Sequence, residues 1–270
     1  MSVRVAVVTG SNDGIGLAIV RALCSQFEGD VYLTARNVGR GQKAVESLIS
    51  EGLKPKFLQL DINDLNSITA AAAFFKESYG GVDVLVNNAA IAFKVNDTVP
   101  FDVQAEVTLR TNFFSTRDML THFMPLTQLC VSGRVVNVSS FAALYTLRQC
   151  SPALQQRFRS TDITEDELVG LMQQFVDETK TNKHQQAGWP QTAYGVKTLS
   201  LFFQLQFRFL NQSILLNSCC PGWVRTNMAG PKAPKSPEEG ADTPVYLALL
   251  PPGATEPHGK FISARKVREW

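Results

Sequence analysis

No stretch of about 18 unbroken apolar residues occurs in this chain, so nothing in it is expected to span a membrane. Histidine is scarce, with only His122, His184 and His258, and no Cys-x2-Cys pair accompanies them. No metal site is therefore expected. Five cysteines, two of them the adjacent Cys219 and Cys220, are too few and too irregularly spaced for a disulfide framework. An excess of one charge is missing as well: 26 Lys and Arg face 24 Asp and Glu, a net charge of +2. That balance offers no basic stripe for nucleic acid and no acidic tail. What is present is 270 residues with 44% hydrophobic side chains, ample for one large core. The amino terminus reads as a strand running into a glycine turn, with no signal-peptide pattern, so a cytoplasmic chain is expected.

The order of the pattern is strand, helix, strand through most of the first half. Residues 3–8 are apolar except for Arg4, as in a strand buried on both faces of a parallel sheet. Ile15, Ile19, Leu23 and Phe27 then fall four apart, on one stripe of a helix. Further strands are expected at 30–33, 57–60, 82–86 and 134–138, with helices at 41–51, 68–79 and near 104–120. Alternation at this spacing predicts an α/β fold, a doubly wound parallel sheet with right-handed crossovers. Residues 141–190 are polar but carry Leu168, Leu171, Met172 and Phe175 at helical spacing, which predicts an inserted helical pair. A helix after Tyr194, a strand at 214–217, a helix at 243–250 and an edge strand at 260–263 complete one domain over 1–270.

At the end of the first strand stands Thr9-Gly10-Ser11-Asn12-Asp13-Gly14-Ile15-Gly16. Glycines there let backbone approach a pyrophosphate, and the N–H groups opening the helix receive its charge. The end of the second strand selects the nucleotide. A carboxylate would hold a ribose diol, whereas Thr34-Ala35-Arg36 supplies a guanidinium suited to a 2′-phosphate. Asp13 places a negative charge in the same loop, but Arg36 is the better placed, so NADPH is favoured over NADH.

Three more pieces follow in order: Asn87-Asn88-Ala89-Ala90, Asn137-Val138-Ser139-Ser140, and Ala193-Tyr194-Gly195-Val196-Lys197. With the glycine turn in front, the chain resembles the short-chain dehydrogenase/reductase superfamily over essentially its whole length. The strings DVLVNN at 83–88, IAFKV at 91–95, EDELVGLM at 165–172, CCPGWVRTNM at 219–228 and PVYLALLPP at 244–252 narrow the resemblance. Within the superfamily they look like the vertebrate cytosolic, monomeric, NADPH-dependent carbonyl reductases. The resemblance implies a Rossmann-type fold with a helical insertion before the catalytic tyrosine, and small carbonyl compounds as substrates. It puts Tyr194 in the role of proton donor, Ser140 on the substrate oxygen, and Asn112 on a water-linked proton path. It carries cofactor contacts to Gly10, Ser11, Asn12, Gly14, Ile15, Gly16, Asp61, Ile62, Asn88 and Tyr194, and to Val224, Arg225 and Thr226. Cys220 and Trp223 resemble the family's substrate-side residues; packing at a strand end is the other reading of both.

The chain departs from the family at one place that matters for chemistry. The family motif is Tyr-x3-Lys, but the fourth residue after Tyr194 is Thr198 and the lysine is Lys197. On a helix the two positions differ by about 100° of rotation. Lys197 is kept as a catalytic candidate because its long stem can partly compensate. A nucleotide-binding homologue with weakened catalysis, and a hydroxysteroid dehydrogenase, are the alternative readings. Exchanging the two residues, Lys197→Thr with Thr198→Lys, is expected to raise kcat about tenfold, a barrier change of about 1.4 kcal/mol. Steady-state turnover of a quinone with NADPH checks this, and equal rates in both forms would show that Lys197 already supplies the charge.

Overall fold

All four side chains of β1 (Val5–Val8) are apolar and fully buried, because helices cover both faces of the strand. The computed structural model describes residues 3–94, 97–160, 162–196 and 214–268. From β1 the chain runs through α1 (Gly14–Gln26), β2 (Asp30–Ala35), α2 (Val38–Ser50), β3 (Lys56–Gln59), α3 (Leu65–Tyr79) and β4 (Val84–Asn87). α4 (Phe101–Leu109) then passes through a π-helical turn (Arg110–Phe114) into α5 (Ser115–Gln128), and β5 (Gly133–Val138) follows. After β5 come α6 (Ala142–Gln149), α7 (Pro152–Arg159) and α8 (Glu165–Lys180). β6 (Ile214–Cys220), α9 (Pro237–Ala248), β7 (Phe261–Ser263) and β8 (Lys266–Arg268) complete the described elements.

The strands form one sheet in the order β3-β2-β1-β4-β5-β6-β7-β8. The first seven are parallel, and β8 is antiparallel to β7, with Phe261 opposite Arg268. One face is packed by Ile68 and Phe75 of α3 with Met119, Leu120 and Phe123 of α5. The other is packed by Ile19 and Leu23 of α1, Leu48 of α2 and Val245 of α9. The doubly wound sheet is therefore as the sequence predicts. Its order reverses between β1 and β4, which opens a crevice at their carboxyl ends.

Four expectations change in detail. The strand expected at the edge, 260–263, is β7, and β8 lies outside it as the only antiparallel member among the described strands. The helix expected at 243–250 begins at Pro237, behind Ser236, whose side chain forms a capping box with Glu239. Proline is well placed at the first position of a helix, so residues that read as loop punctuation open one instead. The helix expected near 104–120 spans α4, the π turn and α5, and ends at Gln128. Last, the inserted pair is three helices, because extended Cys150 and the Ser151 cap with Pro152 separate α6 from α7. Residues 193–196 form a helical turn. Lys197, Thr198 and the rest of the helix expected after Tyr194 lie outside the described residues.

α8 opens with a capping box of Thr164 and Glu167. Its Leu168, Met172 and Phe175 are fully buried and join Ala105, Leu109 and Phe113 in one cluster, with Leu171 partly buried at its edge. Ion pairs fasten both ends, Arg117 to Glu165 at 2.9 Å and Lys180 to Glu106 at 3.2 Å. Among the described residues no helix is long and apolar enough to cross a membrane.

Candidate active site

The glycine turn folds against the end of β4 because its glycines let it come unusually close. Gly10 and Gly14 have φ of +58° and +56°, a region that side chains disfavour. A Cβ on Gly16 would lie 2.5 Å from Asn88 Nδ2 and 2.7 Å from the Gly10 carbonyl oxygen. Asn88 Nδ2 donates to the carbonyls of Thr9 and Gly10, both at 3.0 Å. Thr9 Oγ1 accepts from the N–H groups of Asn88 and Ala89, also at 3.0 Å. Asp13 caps α1 by accepting from Gly14 N at 2.7 Å, and its second oxygen accepts from Asn227 Nδ2 at 2.5 Å. The next N–H groups of the helix opening, those of Ile15 and Gly16, precede the first intrahelical bond and stand at the crevice.

Above this turn lies a cleft of about 350 Å³. The expected cofactor residues Gly10, Asn12, Gly14, Ile15, Gly16, Arg36, Asp61, Ile62, Asn88, Tyr194 and Thr226 all line it. Arg36 leaves the end of β2 exposed, and Arg40 stands one helical turn further on α2, on the same wall. Asn37 caps that helix by accepting from Arg40 N at 2.9 Å. Asp61 accepts from Asn63 N at 3.0 Å, and Asn63 in turn accepts from Ser115 Oγ at 3.0 Å. These donors and carboxylate suit a dinucleotide: a closely approached glycine turn for the pyrophosphate, two guanidinium groups for a phosphate ester, and Asp61 at the far wall.

Three expected cofactor contacts do not reach the cleft. Ser11 is fully buried, its Oγ donating to the Val8 carbonyl at 2.7 Å and accepting from Thr34 N at 3.0 Å. It ties β1 to β2 beneath the turn. Val224 is buried in a bridge with Lys235. Arg225 turns its guanidinium back to the carbonyls of Ala233 and Pro234. Both are consumed in closing their own loop, which leaves Thr226, Asn227 and Met228 as its cleft-facing residues. Arg40, Asn63, Thr111, Ser139, Asn227 and Met228 line the cleft without having been singled out from sequence. Arg40 carries a readable signal, four positions after Arg36; Asn227 carries none, since its partner Asp13 is 214 residues away.

On the cleft wall stands Tyr194, and Ser140, next to the lining residue Ser139 but not itself in the lining, hydrogen-bonds it. Ser140 Oγ also accepts from Ala142 N at 3.1 Å, which leaves its hydroxyl hydrogen to donate toward the phenol. Tyr194 is half-buried on the cleft wall, and burial pushes its phenol above the usual tyrosine value. The Ser140 bond opposes this rise, and neighbouring Cys220 adds to it. Cys220 is buried, its own thiol raised by that burial, with Sγ accepting from Gly222 N at 3.4 Å. Trp223, 57% exposed, stands outside the lining. Asn112 is almost wholly buried within the π turn, its amide clamping Ile91: Oδ1 accepts from Ile91 N and Nδ2 donates to Ile91 O, both at 2.7 Å. Lys197 is outside the described residues. No group of three or more metal-ligating side chains occurs among the described residues.

The short chain dehydrogenase family profile matches residues 4–152. The protein from Homo sapiens named carbonyl reductase (NADPH) 1 is 60% identical over 99% of both chains. Its namesake from Bos taurus is 58% identical over 98% of both. Among solved structures, salutaridine reductase from Papaver somniferum superposes with a TM-score of 0.87 at 30% identity, covering 96% of this chain and 99% of that one. The NADPH-bound carbonyl reductase from chicken fatty liver, at 22% identity and a TM-score of 0.66 over 100% of both chains, shares the fold.

The exposed guanidinium of Arg36 at the end of β2 generates a prediction about the cleft. Arg36→Asp is expected to weaken NADPH binding by about tenfold or more, because a charge-assisted phosphate contact is replaced by repulsion. NADH binding should hold or improve. Fluorescence titration of both nucleotides checks it, and equal affinities in the unmodified protein would refute the role of Arg36.

Proposed function

Because this chain belongs to the short-chain dehydrogenase family, we propose that it is an NADPH-dependent carbonyl reductase, converting ketones, aldehydes and quinones to their alcohols. The observation that carries this reading is the hydrogen bond of Ser140 to Tyr194, whose phenol ring lines a cleft whose other parts suit a 2′-phosphorylated dinucleotide. The names of the relatives from Homo sapiens and Bos taurus point to the same chemistry.

Gly10, Gly14 and Gly16 hold the pyrophosphate, Arg36 and Arg40 the 2′-phosphate, Asp61 and Ile62 the adenine end, and Asn88 the ribose side. When bound, NADPH supplies the hydride that the carbonyl carbon requires. With substrate bound, Ser140 turns its one hydroxyl hydrogen from the phenol to the substrate oxygen, in a bond that strengthens as negative charge builds there. Tyr194 Oη gives that oxygen its proton. A phenol raised by burial stays protonated through neutral pH, so the acid for reduction is in place. Reduction is thus expected to hold level across neutral pH and to fall as pH climbs through the phenol's pKa. Alcohol oxidation, which needs the phenolate, is expected to rise over that same alkaline range. Asn112 steadies the loop after β4 through Ile91 and lies beside the proton path.

The proposal extends to the form of the molecule: one Rossmann-type domain over 1–270, monomeric and cytoplasmic. Buried Leu168, Met172 and Phe175 support the monomer, because the insertion spends its apolar stripe on the parent fold. Five free thiols, none in a disulfide, support a reducing compartment.

NADPH oxidation by the purified chain with a quinone tests the activity, and an inert chain would overturn the reading. Tyr194→Phe is expected to retain NADPH binding while kcat falls about a hundredfold or more, the usual worth of a positioned general acid. For the monomer, light scattering is expected to return 29.7 kDa. Twice that mass would refute it.

A further inference from the structure

Ser140 lies in the link between β5 and α6 and Tyr194 in the helical turn 193–196, and their separation is decided where α6 touches that turn. α6 begins two residues after Ser140, whose carbonyl accepts from Ala143 N at 3.2 Å. The turn carrying Tyr194 is opened by Thr192, whose Oγ1 accepts from Gly195 N and whose carbonyl accepts from Val196 N, both at 3.1 Å. Next to the tyrosine sits buried Gly195. Glycine inside a helix is destabilising relative to alanine, so its presence calls for a reason. Backbone conformation is not that reason, because Gly195 is helical and absent from the positive-φ residues. Close approach is. A Cβ on Gly195 would lie 2.0 Å from Thr146 Oγ1 and 2.7 Å from Thr192 Cγ2. Even with the Thr146 side chain rotated away, its Cβ would remain at 3.0 Å. Thr146 is 3% exposed in the middle of α6, with its carbonyl accepting from Cys150 N at 3.2 Å, so it has little room to yield.

We propose that the contact of Gly195 with Thr146 sets the distance between the Ser140 and Tyr194 hydroxyls, which makes Gly195 and Thr146 positioning residues for proton transfer. The proposal rests on the carbonyl reductase reading. A methyl group at 195 drives α6 and the Tyr194 turn apart and lengthens the Ser140 bond, while the dinucleotide walls at Gly10–Gly16 and Arg36 are untouched. Lengthening that bond also weakens a contact that holds the phenol down against burial.

The test is Gly195→Ala, alone and combined with Thr146→Ala or Thr146→Val. Gly195→Ala should bind NADPH within about twofold of the unmodified chain yet lose kcat by about tenfold or more, since ångström displacements of reacting groups cost up to about a hundredfold. Its alkaline rise in alcohol oxidation should move to higher pH. Thr146→Ala, which removes the Oγ1 nearest that methyl, should restore much of both kcat and the pH profile, with the Thr192 methyl on the same turn left to shift aside; Thr146→Val, which keeps the bulk, should not. A chain that reduces no carbonyl compound would fail the functional reading alone. The contact is then read by NMR titration of the Tyr194 ζ-carbon, assigned with Tyr194→Phe: its midpoint should rise in Gly195→Ala and return with Thr146→Ala. Unchanged kcat and titration in Gly195→Ala, or losses that Thr146→Ala does not reverse, overturn the proposal. If Gly195→Ala alone does not fold, the double variant with Thr146→Ala has to fold and turn over, and its failure counts against the contact.

Discussion

Asn88 reaches from the end of β4 to two carbonyls of the glycine turn, and Thr9 Oγ1 accepts two more hydrogen bonds from the N–H groups of Asn88 and Ala89. This four-bond seam lies where the strand order reverses, so it fixes the floor of the crevice. It can form only because Gly10 and Gly16 carry no side chain: a Cβ on Gly10 would meet Ala89 Cα at 2.8 Å. Each bond lies in a part-buried setting where an unmade partner would be costly. The turn therefore has one conformation, and the amides of the α1 opening are presented at the cleft without further ordering. The adenosine wall depends on the same arrangement, because Ser11 joins the turn to Thr34 one residue before the end of β2.

The insertion serves the opposite end of the cleft. Ser140 stands two residues before α6 and accepts from Ala142 N and Ala143 N in its first turn, so whatever fixes the start of α6 fixes the serine. Its Ala143 and Leu147 belong to the same apolar cluster as Leu168, Met172 and Phe175 of α8 and as Ala193 and Val196 beside Tyr194. One core thus holds both members of the proton-transferring pair. The Arg117–Glu165 and Lys180–Glu106 pairs are partly exposed and add little stability of their own. Their use is directional, since they index α8 along α4 and α5.

What could be read from sequence was whatever depends on local pattern. Apolar runs gave the parallel strands, the glycine spacing gave the turn, and Arg36 followed from its place one residue past β2. Where the chain folds back on itself, local pattern fails. Ser11 looks like a phosphate ligand by its position in the turn, yet its hydroxyl is taken by Val8 and Thr34. Val224 and Arg225 look like cofactor contacts by their place after Pro221-Gly222, yet a bridge to Lys235 and two backbone carbonyls claim them. The third insertion helix was hidden because Ser151-Pro152 reads equally as a turn and as a helix start. In each case the competing reading differs by a tertiary partner that spacing does not encode.

The charge in the glycine turn shows how such a partner changes an argument. As a bare residue Asp13 sets an anion near the place where a pyrophosphate belongs, and it weighs against a second phosphate. In the folded chain one of its oxygens accepts from Gly14 N and the other from Asn227 Nδ2. Both bonds draw the carboxylate's density into the α1 cap and the loop after β6. Arg36 and Arg40 are exposed on the facing wall, and neither forms an ion pair among the described residues. A group with two donors already in place attracts and repels less than one left bare, whereas exposed guanidinium groups keep their donors for an incoming phosphate. The net charge of +2 gives no hint of this asymmetry. The selectivity of the cleft comes from which charges are already occupied within the fold.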